Sequence, residues 1–328
     1  MSTAEPILSI KDLKVYFDVR GAGFGAKRSL KAVDGVSFDV FPGETLGIVG
    51  ESGSGKSTVG RAVLQLLKPT AGRVAWLGKN IAGFSRGQMK PYRREMQIVF
   101  QDPLASLNPR MTAGDIIAEP LDTFEPNLSA DARKKHVQEI MAKVGLLPQM
   151  INRYPHEFSG GQNQRIGIAR AMILKPKLIV ADEPVSSLDV SIRAQIINLL
   201  ADLQTEMGVA LIFISHDLAV VRHVSHRVLV LYLGKVMELA EARVLLSRPR
   251  HPYTQALLSA APVPDPAIER GKKRILLEGD LPSPINPPSG CVFRTRCPIA
   301  QPKCAQEIPA LEARGGAADH VVACHFPS

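Results

Sequence analysis

Gly50-Glu-Ser-Gly-Ser-Gly-Lys-Ser-Thr58 follows directly on the apolar run Thr45-Leu-Gly-Ile-Val49. This order of strand, glycine-rich turn and helix constrains the chain more than any other feature. The helix is expected from about Ser57, with Val59, Ala62, Val63, Leu66 and Leu67 on one side. Glycines in the turn let the backbone wrap closely, so that N–H groups converge on an anion at the helix N-terminus. Gly50, Ser52, Gly53, Ser54, Gly55 and Thr58 form the expected phosphate cradle. Lys56 adds a point charge for the β and γ phosphates, and Ser57 a hydroxyl ligand for Mg2+. ATP with Mg2+ is the ligand such a loop predicts. A glycine turn without that purpose is the alternative, and the flanking strand and helix speak against it.

The surrounding sequence reads as an α/β fold with a parallel sheet. Leu178-Ile-Val-Ala181 and Ala210-Leu-Ile-Phe-Ile214 are continuous apolar runs, the pattern of strands buried on both faces. Ser191 to Met207 carries Ile192, Ile196, Leu199, Leu200 and Leu203 at helical spacing. A more polar, helical segment over about residues 103–176 reads as a subdomain inserted into the core. About half of the 25 prolines, and all four cysteines, fall beyond residue 248. The expected domains are therefore residues 1–250 and a Cys/Pro-rich extension, 251–328.

Lys177-Leu-Ile-Val-Ala-Asp-Glu-Pro184 ends a buried strand in two carboxylates. Asp182 is placed to hold Mg2+, and Glu183 to polarise the water that attacks the γ-phosphate. Phe158-Ser-Gly-Gly-Gln-Asn-Gln-Arg165 supplies a second phosphate cradle, with Ser159, Gly160, Gly161 and Gln162 at a helix start. This segment resembles the signature of the ABC ATPase family, with Phe158 where the family carries leucine. The resemblance implies a RecA-like core with an antiparallel β edge and an inserted helical subdomain. It implies that Ser159 to Gln162 serve the ATP held by a partner subunit, and that Ser187 and Asp189 touch that partner. Gln101 would sense the γ-phosphate and Mg2+, and His216 would contact the γ-phosphate beside the catalytic Glu183. Tyr16 would stack on adenine, with Phe17 the neighbouring candidate. The resemblance covers about residues 7–250.

Neighbouring segments narrow the family. Lys31-Ala-Val-Asp-Gly-Val-Ser37, Gln101-Asp-Pro-Leu-Ala-Ser-Leu-Asn-Pro109, His251-Pro-Tyr-Thr-Gln-Ala-Leu-Leu258 and Gly279-Asp-Leu-Pro-Ser-Pro284 resemble the oligopeptide/dipeptide importer ATPases. That resemblance implies ATP hydrolysis coupled to transport. It further implies a sister ABC ATPase as a heterodimer partner, two transmembrane permeases and an extracytoplasmic solute-binding protein. Nickel, glutathione and some sugar importers share this ATPase type. Other ABC ATPases act on nucleic acid or ribosomes, but with long coiled coils, inserted zinc modules or two ATPase halves, none of which is evident here. A nucleotide-binding regulator without hydrolysis is disfavoured by the presence of both Glu183 and His216.

Composition agrees. The longest apolar run, Val228 to Leu233, falls far short of the roughly 18–20 residues that a membrane-spanning helix needs. The N-terminal residues lack the pattern of a secretory leader, so a peripheral place at the cytoplasmic face of the cell membrane is expected. The formal charge of +9 suits anionic headgroups or nucleotides. Aromatics at 5%, without Lys/Arg runs interleaved, argue against nucleic acid as a partner.

Cys291, Cys297, Cys304 and Cys324 are spaced C-x5-C-x6-C-x19-C. Reduced cytoplasmic thiols in this number suit a zinc site, an iron–sulphur cubane, or no ligand at all. The absence of tight C-x2-4-C knuckles favours a [4Fe–4S] cluster over Zn2+. Pro298 after Cys297 is a ferredoxin feature, and Arg294, Arg296 and Lys303 would offset a cluster's negative charge. Some peptide-importer ATPases of the resembled type hold such a cluster. A structural role is expected.

Overall fold

The computed structural model describes residues 5–20, 27–261, 270–271, 273–313 and 319–328. In chain order the first elements are β1 (Leu8–Arg20), β2 (Lys27–Val40), β3 (Thr45–Val49), α1 (Lys56–Val63), β4 (Ala71–Trp76) and β5 (Lys79–Asn80). Next come α2 (Arg86–Arg93), β6 (Met96–Val99), α3 (Pro103–Ser106), α4 (Ala113–Phe124), α5 (Ala130–Lys143) and α6 (Gly160–Met172). They are followed by β7 (Leu178–Asp182), α7 (Val190–Met207), β8 (Ala210–Ser215), α8 (Leu218–Val224), β9 (Arg227–Tyr232) and β10 (Lys235–Glu241). The chain ends with α9 (Ala242–Ser247), α10 (Pro252–Ala260), α11 (Pro302–Gln306), β11 (Glu312–Ala313) and β12 (Val321–Val322). The chain divides into two compact units, one of residues 1–41, 45–83 and 215–328, the other of 42–44 and 84–214.

The first unit contains an antiparallel sheet in the order β2-β1-β4-β5, the antiparallel edge that the family resemblance implies. A second set of strands runs β11-β12-β10-β9-β3, with β3 and β9 parallel and the other pairs antiparallel. Every residue of β3 is buried, which is why Thr45 to Val49 reads as an unbroken apolar run. The C-terminal residues are built into this unit. Val321 and Val322 pair with Leu239 and Glu238 of β10, and buried His320 bonds the buried Glu238 carboxylate at 2.6 Å. The Glu238 carboxylate also accepts from the N–H groups of Arg250 and His251, so His320 joins a buried network that fixes where the tail returns.

The second unit holds the parallel strands β8-β7-β6, with β7 and β8 buried throughout. Helices α3, α4 and α5 each pack on α6. Their ends follow local chemistry: Thr112 and Ser129 cap α4 and α5 through their side chains. Such caps are worth about 1 kcal/mol each. Gly208, in the left-handed conformation at φ 63°, stops α7. No helix among the described residues is long and apolar enough to cross a membrane.

Candidate functional site

The phosphate loop sits between β3 and α1 in the first unit. Gly55 has φ 101°, and a Cβ there would stand 2.3 Å from the Ala32 carbonyl oxygen, so only glycine fits. The N-terminus of α1 has no side-chain cap and no acidic residue in its first turn, so its positive dipole end suits an anion. Buried Lys56 donates to the carbonyls of Gly50 and Glu51, both at 2.9 Å, and so folds its ammonium over the loop. Ser54 Oγ is buried without a hydrogen-bond partner. Ser52 and Gly53 are exposed, and Ser57 and Thr58 half-buried. An uncapped helix start, a folded-over ammonium and an unsatisfied hydroxyl are a donor set that suits phosphate.

Tyr16 lies on β1, and its hydroxyl donates to Asp34 Oδ1 on β2. Burial and the Asp34 carboxylate push the Tyr16 hydroxyl up to about 12. Burial opposes ionisation of Asp34, but the bonds from Tyr16 and Lys235, with the charges of Lys235 and Lys31, hold it below the usual carboxylate range. Lys31 Nζ stands 5.8 Å from the Tyr16 ring centroid. The tyrosine is thus fixed by its hydroxyl end, while Phe17 is exposed. His216 is exposed and directly precedes Asp217, which caps α8.

In the second unit, Asp182 ends β7 and is buried, and Glu183 follows half-buried. Gln101, after β6, donates to Glu183 Oε2 at 3.1 Å, so the structure brings these two expected residues together. Glu183 has φ 46°, a left-handed conformation that costs a glutamate roughly 1–3 kcal/mol and is kept where the surroundings impose it. Its N–H donates to Ile214 O on β8, and its carbonyl accepts from Ser186 Oγ. Ser187 and Asp189 are exposed just before α7.

Ser159 caps α6 in a reciprocal box: its side chain accepts from Gln162 N–H while the Gln162 side chain accepts from Ser159 N–H. Ser159 and Gly160 remain exposed. A Cβ on Gly161 would fall 2.4 Å from Ile192 Cγ2, so glycine lets α7 approach. Phe158 is buried, an apolar fit at the position where the signature carries leucine.

Cys291, Cys297, Cys304 and Cys324 line one narrow pocket with His251 and Phe293. Cys291 N–H donates to Cys304 O at 2.8 Å. Burial, with the other three cysteines adding, pushes the Cys291 thiol up to about 11, and burial raises Cys297 as well. Among the described residues no three His, Cys, Asp or Glu side chains are arranged to hold a metal ion.

The sequence reading missed the surroundings of Glu51. Its N–H donates to Tyr253 Oη at 2.9 Å, and its carboxylate accepts from Arg296 Nη1 at 2.8 Å. Lys31 and Asp34 around Tyr16 were also missed as site residues, although both lie in a segment that carries the family resemblance.

A family model described as "ABC transporter" matches residues 33–186, and one described as "Oligopeptide/dipeptide transporter, C-terminal region" matches residues 237–304. The chain is 61% identical to the oligopeptide transport ATP-binding protein OppF of Salmonella typhimurium, over 97% of this chain and 95% of that relative. It is 55% identical to the oligopeptide transport ATP-binding protein AppF of Bacillus subtilis, over 99% and 98%. The dimeric, post-hydrolysis structure of the ATP-binding cassette MJ0796 with ADP and Pi aligns with a TM-score of 0.65 at 30% identity. It covers 72% of this chain and 99% of that one.

Proposed function

The chain belongs to the ABC transporter ATPases, in their oligopeptide/dipeptide branch, and from that membership we propose that it binds and hydrolyses ATP to power import of oligopeptides or dipeptides. What carries the reading is identity of 57–61% to oligopeptide transport ATP-binding proteins over nearly the whole length, tail included. As a transporter ATPase it is peripheral to the membrane and works with transmembrane permeases. We further assign it a sister ABC ATPase, an extracytoplasmic solute-binding protein and the cytoplasmic face. Residues 1–250 form the ATPase domain, with its helical subdomain at about 103–176, and 251–328 the importer-type extension.

Lys56 and the amides of residues 50–58 bind the phosphates, and Tyr16 supports the adenine. Ser57, Gln101 and Asp182 hold Mg2+, which neutralises phosphate charge when bound. Glu183 orients and deprotonates the attacking water, and His216 contacts the γ-phosphate. Ser159 to Gln162 serve the nucleotide of the sister subunit, with Ser187 and Asp189 at the subunit contact. The chain alone is therefore a poor ATPase. Turnover measured with and without the permeases and sister subunit should rise on assembly, and full, concentration-independent activity of an isolated monomer contradicts this.

The four-cysteine pocket is read as a [4Fe–4S] site with a structural role. What supports a cluster over zinc is the spacing C-x5-C-x6-C-x19-C, which lacks tight C-x2-4-C knuckles. All four cysteines line the same pocket. Anaerobically purified protein should be brown, with broad visible absorbance and about four irons per chain. A colourless anaerobic preparation, with stoichiometric zinc or without metal, overturns the assignment.

A further inference from the structure

The C-terminal extension holds the phosphate loop at Glu51. Glu51 is the second residue of that loop, and its N–H and its carboxylate are both held from beyond residue 250. Arg296 Nη1 meets its carboxylate at 2.8 Å, with only 12% of the arginine side chain exposed. Tyr253 Oη accepts its N–H at 2.9 Å. The carbonyl of the same residue accepts from Lys56 Nζ at 2.9 Å and from Ser54 N–H at 3.1 Å. Glu51 thus joins the extension to the ammonium that faces the phosphates.

The two holding residues are themselves rigid. Tyr253 is fully buried, its ring 4.8 Å from that of Tyr232 and 5.3 Å from that of Phe293. Arg296 N–H donates to Phe293 O at 3.0 Å, and the residue stands immediately before Cys297. Leu281 Cδ2 lies 3.9 Å from where a Cβ of Gly53 would be, a second approach of the extension to the loop. A charge-assisted bond from a well-packed arginine orients its partner more strongly than a solvent-exposed pair does.

We propose that the extension braces the phosphate loop, with Arg296 and Tyr253 as positioning residues that hold Glu51 and so set the affinity for nucleotide. The inference rests on the reading of residues 50–58 as the phosphate cradle. It makes the extension a part of the ATP site, acting through the loop and not on the reacting atoms.

The test is steady-state ATP hydrolysis by the assembled transporter, with KM and kcat separated. Arg296→Ala should raise the KM for ATP about tenfold, the scale of one lost charge-assisted hydrogen bond, and leave kcat within about twofold. Arg296→Lys should recover part of the loss, because it keeps the charge. Tyr253→Phe keeps the packed ring, removes only the hydroxyl, and should raise KM by a few fold. Glu51→Gln combined with Arg296→Ala should be no worse than either alone, since both remove one pair. Lys273→Ala, at an exposed position of the same extension, should leave KM unchanged. Unaltered KM in Arg296→Ala and Tyr253→Phe, a fall in kcat alone, or an equal change in Lys273→Ala overturns the brace. Lys56→Ala run in parallel separates the two readings. Nucleotide binding that survives that change removes the premise, whereas binding that is lost there but unaffected at Arg296 and Tyr253 defeats the brace alone.

Discussion

Glu183→Gln is expected to slow ATP hydrolysis by roughly 10²- to 10⁴-fold, the usual cost of losing a general base. The amide keeps the size of the side chain and its acceptor oxygen, so the contact from Gln101 Nε2 at 3.1 Å has a partner in either form. What disappears is the negative charge that draws a proton from water. The left-handed backbone at φ 46° and the bond from Glu183 N–H to Ile214 O are main-chain features and stay. ATP should still bind, and the subunit pair should persist in its nucleotide-bound form. The measurement is single-turnover hydrolysis in the assembled transporter, with the sister subunit's own water-activating residue disabled. Normal turnover there removes Glu183 from the catalytic role. With the sister site left intact, a partial loss is the expected result.

Lys56→Ala should abolish measurable hydrolysis for a different reason. Lys56 is 4% exposed, and its ammonium already spans the carbonyls of Gly50 and Glu51. Alanine removes the positive charge and leaves those two carbonyls without this donor. Losing one preorganised electrostatic contact typically lowers turnover by roughly 10²- to 10³-fold. Binding suffers as well as chemistry, which separates this variant from Glu183→Gln. Titration with a fluorescent ATP analogue should show weakened binding for Lys56→Ala and near-normal binding for Glu183→Gln. Unchanged hydrolysis by Lys56→Ala in the assembled transporter contradicts its phosphate role.

The parts of the site that were legible are those whose physics is local. A phosphate loop needs glycine where φ is positive and no room remains for Cβ, and Gly55 beside the Ala32 carbonyl oxygen satisfies both conditions. Strands covered on both faces read as unbroken apolar runs, so β3, β7 and β8 were visible in the sequence. The signature helix announced itself through Ser159 and Gln162, which form a capping box at their spacing. Within the segment expected to be helical, α5 runs between Ser129 and Val144 as its caps.

What escaped the sequence is what depends on distant pairs. Arg296 and Glu51 are 245 residues apart, and no periodicity connects them. Tyr253 reads as an ordinary buried aromatic until its hydroxyl is seen against Glu51 N–H. The long β1–β2 pair was hidden because its register shifts near Leu13 and Tyr16 break the alternation that marks a strand. The two-residue strand β12 has no period to detect, yet it seats the tail on β10. The left-handed backbone of Glu183 is likewise invisible in a glutamate, since nothing in that residue type asks for it.

ATP turnover by this chain is expected to drive peptide uptake. The direct measurement is accumulation of a labelled oligopeptide in proteoliposomes holding the permeases, both ATPase subunits and the solute-binding protein. The expected result is accumulation that requires ATP and Mg2+ and stops with Lys56→Ala. Uptake that continues without ATP or with that variant, or ATP hydrolysis that no oligopeptide or dipeptide stimulates, would contradict it.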